Sequence, residues 1–145
     1  MMTPRRMTGD LEQRMDGPHS YEHTVHAAGL AAEAVRYLNY ATGSHSPAGL
    51  VYPATVYSIA ADLSAAAWRM QQLFTQLGDW LAAQEAAGLL GTDDGSPVTA
   101  TIAAASVNLA SATTAANHLS AYLDALQNSV SGLNGRGPNR PVEEL

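Results

Sequence analysis

Apolar residues return every three or four positions through two long stretches of this chain. In the first, Val56, Ile59, Leu63, Ala66, Met70, Leu73, Leu77, Trp80, Gln84 and Ala87 alternate threes and fours without a break. In the second, Ile102, Ala105, Leu109, Ala112, Ala116, Leu119, Leu123, Leu126, Val130 and Leu133 do the same. This rhythm predicts two amphipathic helices, each carrying a heptad seam for about four to five repeats. A shorter apolar pattern, Val25, Ala28, Leu30, Ala32, Val35 and Leu38, predicts a third helix ahead of them.

The punctuation sets the boundaries. Ser20 is placed to cap a helix over 21–39, with Glu22 in the first turn, where the helix dipole favours negative charge. A loop from Thr42 to Gly49 follows. Pro53 suits the first position of a helix over 53–87, and Gly88 suits the residue after its end. A helix over 97–131 starts at Pro97 with Ser96 as its cap, and Gly132 lies beyond it. The predicted organisation is a helical bundle over 20–134 between a flexible arm, 1–19, and a flexible tail, 135–145.

The short connection makes the two long helices antiparallel. With the turn near Thr92 and Asp93, paired residue numbers add to 185 or 186. Leu77 then meets Leu109, Leu73 meets Ala112, Met70 meets Ala116 and Ala66 meets Leu119. Trp80 faces Ala105. Large residues repeatedly oppose small ones, as a close-packed layer requires. The expected fold is all-α: a long antiparallel, coiled-coil-like hairpin plus a shorter N-terminal helix, a three-helix bundle. Each long helix, at about 35 residues, spans roughly 52 Å; the first, at about 19, spans roughly 28 Å. It can cover about half the hairpin, and the uncovered half predicts self-association.

Outside the seam the two long helices differ. The second carries a further apolar row, Ala60, Ala67, Phe74 and Leu81, with Trp68 beside it. The third carries mostly Ser, Thr, Asn and Ala there, Thr113, Asn117 and Ser120 among them. Ala60, Trp68, Phe74 and Leu81 are the candidate interface residues, together with the charge-poor face of the third helix. Gly78 is read as an outward position, marking a bend or a close backbone approach.

Composition narrows the chemistry. The 145 residues are 46% hydrophobic but only 6% aromatic and 14% charged, and about 27 are alanine. Cysteine is absent, which excludes disulfides, thiolate metal sites and a cysteine nucleophile. Seven basic residues, all arginine, against thirteen acids argue against a nucleic-acid surface. No signal-peptide core follows the N-terminus and no stretch is apolar enough to span a membrane, so a cytoplasmic protein is expected.

His19, Glu22, His23 and His26 have helical spacing, and imidazole with carboxylate suits zinc, nickel or iron. His23, His26 and Glu22 are the metal-ligand candidates. Against them, bundle metal sites draw ligands from several helices, and the long helices offer only His118. Scattered histidines on a solvated first turn are the plainer reading, and no cofactor is expected. Thr92-Asp93-Asp94-Gly95 lacks the alternating ligands and the glutamate of a calcium loop and reads as a turn with an Asx-type bond. No phosphate loop or nucleophile elbow is present. Asp62, Asp79, Glu85 and Asp124 read as residues of solvated faces.

Two helices rich in Ala, Ser and Thr on either side of a tight turn resemble the small helical-hairpin proteins exported by type VII secretion. The chain departs from that family at the turn, where Gly91-Thr92-Asp93-Asp94-Gly95 replaces Trp-x-Gly. It also departs at Tyr122, followed four residues later by Leu126 rather than by an acid. By composition and segment order the whole chain resembles alanine-rich, lysine-free helical proteins of high-GC actinomycetes. That resemblance carries no catalytic motif, implies no activity and transfers no site residues. The expected function is non-enzymatic: a helical interaction or scaffold module acting through helix packing and forming a homodimer. The alternatives are a metal-binding helical-bundle enzyme using His23 and His26, and an exported helical-hairpin effector.

Overall fold

The computed structural model describes residues 15–135. Three α-helices lie in this range, α1 (Tyr21–Ala41), α2 (Pro53–Ala86) and α3 (Val98–Val130), with a 3₁₀ turn, Pro47–Gly49, after α1. No strand occurs among the described residues, whose fold is all-helical. Of the arm and tail expected over 1–19 and 135–145, residues 1–14 and 136–145 lie outside the described range. The chain divides into two compact units, one through Val51 and one from Tyr52.

In the first unit, Ser20 is extended and its Oγ accepts the His23 N–H at 3.2 Å, the expected cap. Glu22 stands in the first turn. The helix runs two residues past the predicted end. The Thr42 hydroxyl donates to the Leu38 carbonyl at 2.8 Å and closes its last turn. Gly49 lies so close to the α1 terminus that a Cβ there would collide with the Ala41 carbonyl, so only glycine fits. No residue of α1 is buried.

In the second unit, α2 begins at Pro53 behind an extended Tyr52. It ends on Gly88, whose φ of 71° is left-handed. The Gly88 N–H donates to the Glu85 carbonyl at 2.9 Å and the Leu89 N–H to the Gln84 carbonyl at 3.0 Å, the paired bonds of a Schellman end. The start of α3 differs from expectation. Pro97 itself is the N-cap, with ψ 131°, and the helix begins at Val98. Ser96 does not cap it, because its groups serve the turn instead: its N–H donates to Asp94 Oδ1 at 3.0 Å and its hydroxyl to Thr92 Oγ1 at 3.3 Å. The Gly95 N–H donates to the Thr92 carbonyl at 3.1 Å. The expected Asx-type bond is therefore present.

The two long helices, α2 and α3, pack against each other as an antiparallel hairpin. Two contacts fix the register. Ser64 Oγ is bonded to Ser120, and the backbone at Gly78 faces Leu109 Cδ1, which a Cβ built there would meet at 3.5 Å. Their residue numbers add to 184 and 187, on either side of the expected 185–186. Leu77, next to Gly78, is therefore beside Leu109.

The seam itself lies one residue away from the predicted one. On α2 the buried residues are Ala60, Ser64 and Ala67, continued by half-buried Gln71, Phe74, Gly78 and Leu81. The threes and fours are preserved, but the row is the one read as lying outside the seam. On α3 the buried residues are Ile102, Ala116 and Ser120. The predicted positions Ala105, Leu109, Ala112 and Leu123 are half-buried beside them. Leu119 and Leu126 are 50% and 41% exposed, their places taken by Ser120 and Gln127. The reason is steric. Alanine, serine and glycine along the crossing let the two helices approach more closely than a row of leucines would, because the side chains at the contact set the distance between the axes. Gly78 is accordingly an inward position, not an outward one.

Candidate functional site

The hairpin has two flanks, and their chemistry differs. On one, Ser64 of α2 meets Ser120 and Asp124 of α3. The Ser64 hydroxyl lies 2.5 Å from Asp124 Oδ1 and 3.1 Å from Ser120 Oγ. Ser64 has a single proton, and the carboxylate, closest and charged, takes it. Ser120 then donates its own proton to Ser64 Oγ. The trio gives every buried hydroxyl a partner and ties the helices at one register. It has no imidazole and no second acid, and the Asp124 carboxylate is the one group that accepts the Ser64 proton. Asp124, read from the sequence as a solvated-face residue, is thus a cross-helix acceptor. The cue was its four-residue step from Ser120, with Ser64 opposite.

The other flank is apolar. One step round α2 from its buried row stand Met70 and Leu77, 39% and 46% exposed; one step further stand Leu73 and Trp80, 47% and 58% exposed. Successive residues on a helix turn by about 100°. Because Ser64, Ser120 and Asp124 meet on one side, Leu119 and Leu126 of α3 share the other side with the Met70–Trp80 row. The Met70–Trp80 part of the row expected to fill the hairpin is therefore its half-exposed flank, while Val56, Ile59, Leu63, Ala66 and Gln84 of that row are half-buried. Trp80, expected in the core opposite Ala105, lies well round from the seam. None of these positions carries a charged side chain.

The predicted interface residues do not share one surface. Ala60 is 2% exposed and packs inside the hairpin, so it cannot present a surface to another chain. Phe74 and Leu81 are half-buried in the same inward row. Trp68 alone is open, at 64% exposed, on the flank of Ser64. The small-residue seam displaces the predicted contact row, and the apolar flank takes its place as the candidate surface.

Other chemistry is sparse. His23, His26 and Glu22 are exposed along α1, and among the described residues no group of three or more His, Asp or Glu comes close enough to hold a metal ion. At the turn, Ser96, through its side chain and then its N–H, together with Thr92, lowers the Asp94 carboxyl from 3.8 to about 2. An open depression along Val107, Ser111, Thr114 and His118 is lined by α3 alone and encloses nothing. Within the seam, the buried Gln71 Nε2 has no hydrogen-bond partner. No helix among the described residues is long and apolar enough to cross a membrane.

Compared with protein-family models, with curated proteins and with solved structures, the chain finds no match.

Proposed function

We propose that this chain is a non-enzymatic helical interaction module that works in the cytoplasm by self-association and helix packing, without cofactor, nucleic acid or membrane. One observation carries the reading: Met70, Leu73, Leu77 and Trp80 of α2 and Leu119 and Leu126 of α3 stay 39–58% exposed beside the seam that closes the hairpin. Leaving a continuous apolar flank in water is unfavourable at roughly 25 cal/mol per Å², and patches of this kind mark association surfaces. The burial of Ser64 and Ser120, each 6% exposed between the two helices, supports a structural rather than a catalytic use of the hydroxyls. The acidic balance, −6 at pH 7, supports a protein partner over nucleic acid. Sedimentation velocity across micromolar concentrations tests this. A species of twice the 15.2 kDa chain mass is expected; a monomer at every concentration contradicts it.

A further inference from the structure

The apolar flank has a shape as well as an area. Near the turn its protruding residues belong to α2: Leu73, Leu77 and Trp80. Across from them α3 presents Ala105, Ala112 and Ala115. Away from the turn the bulk passes to α3, at Leu119, Tyr122 and Leu126, exposed by 50%, 75% and 41%. There α2 answers with Ile59, Leu63 and Ala66, all half-buried. The flank is thus a diagonal ridge with lower ground on either side, alanines of α3 near the turn and half-buried side chains of α2 away from it.

Resting on the self-association proposed above, we infer that this flank is an isologous interface: its occupant is a second copy of the same flank. A two-fold axis in the plane of the face lays one diagonal across the other. The ridge of each copy then settles on the lower ground of its partner, at both ends at once. The area is of the right size. The exposed fractions of Met70, Leu73, Leu77, Trp80, Leu119, Tyr122 and Leu126 leave on the order of 700 Å² of largely apolar surface in water. A specific interface removes about 800 Å² from each partner. Charge also allows it. The chain carries −6, yet Asp62, Asp79 and Asp124 stand off this face, so two copies meet here without opposing carboxylates. The product is a four-helix arrangement whose second layer is built of the residues that the hairpin leaves out.

The test is sedimentation equilibrium of the full chain and three variants, with helicity followed by circular dichroism. Leu77→Glu and Leu119→Glu place a carboxylate in the face from either helix. Both sites are about half exposed in the single chain, so the substitutions leave the hairpin folded. Each is expected to raise the dimer dissociation constant by on the order of 100-fold or more. Trp68→Glu, on the opposite flank, is expected to leave it unchanged. A second measurement does not depend on charge insertion. The chain has no cysteine, so Ala115→Cys supplies a single thiol, exposed in the isolated chain. Its labelling by a maleimide should slow as protein concentration rises through the dissociation constant, while Asn117→Cys stays reactive. A wild-type chain that dimerises but is indifferent to Glu at 77 and 119, or is broken by Glu at 68, overturns this interface and leaves the self-association reading standing. A wild-type chain that is monomeric throughout overturns both.

Discussion

The inside of the hairpin and its apolar flank use opposite materials. Inside, Ala60, Ser64, Ala67, Ala116 and Ser120 are the residues most fully removed from water. On the flank, Leu73, Leu77 and Trp80 remain about half exposed. Ordinary intuition assigns the core to the large residues and the surface to the small. Here the small residues set how closely two helices approach, and dispersion contacts between near-touching backbones accumulate along the whole length. The large residues are then available for whatever lies alongside.

The sharpest way to break this comparison is to exchange the two materials at neighbouring positions. Ala67 is 1% exposed and Trp68 is 64% exposed. Ala67→Leu adds bulk where there is no room and should lower the unfolding free energy by about 1–3 kcal/mol. Trp68→Ala removes an entire indole yet should change it by no more than about 0.5 kcal/mol, as for other open surface positions. Urea titration of both variants checks the order; a Trp68 variant less stable than the Ala67 variant would show that the inside has been misplaced.

A smaller effect of opposite sign is expected at Gly78. A Cβ there meets Leu109 Cδ1 at 3.5 Å, an ordinary contact distance. Gly78→Ala should therefore gain about 0.5–1 kcal/mol from helix propensity without a steric cost. A rise in melting temperature checks it, and a fall would mean the helices approach more closely at this point than described.

The smallest effect belongs to the turn. The folded-state carboxyl of Asp94 is lowered to about 2 from 3.8, so it contributes stability that is present above about pH 4. That contribution fades as pH falls through the folded value. Asp94→Asn should lower stability slightly at neutral pH and flatten the acid limb between about pH 4 and 2 by the same small amount. The carboxyl is fully exposed, so the change is slight. An acid limb identical in the two proteins would exclude the turn bonds as its source.

The helix ends were legible in the sequence because single residues enforce them. Ser20 caps α1, Pro53 opens α2, and Gly88 takes the left-handed backbone that closes it. The antiparallel register was legible within about two residues, since the turn chemistry and both rhythms constrain it together. The seam was not. Two adjacent rows of α2 share the same three-four spacing, and hydrophobicity favours the one containing Met70, Leu73 and Leu77. Close packing favours the other, whose alanines, serine and glycine carry little hydrophobic signal of their own. Ser64, Ser120 and Asp124 were hidden for the same reason: polar residues in a helix read as solvated until their partners on the facing helix are known.

A disulfide trap tests the placement of that seam most directly, in a chain with no cysteine of its own. Ser64 and Ser120 bring their side-chain oxygens within 3.1 Å. The Ser64→Cys/Ser120→Cys double variant should therefore close an intrachain bridge under mild oxidation and run at monomer mass on a non-reducing gel. Failure of this pair to bridge while helicity is retained, with Ala66→Cys/Leu119→Cys bridging in its place, would put the large residues back inside and contradict the account.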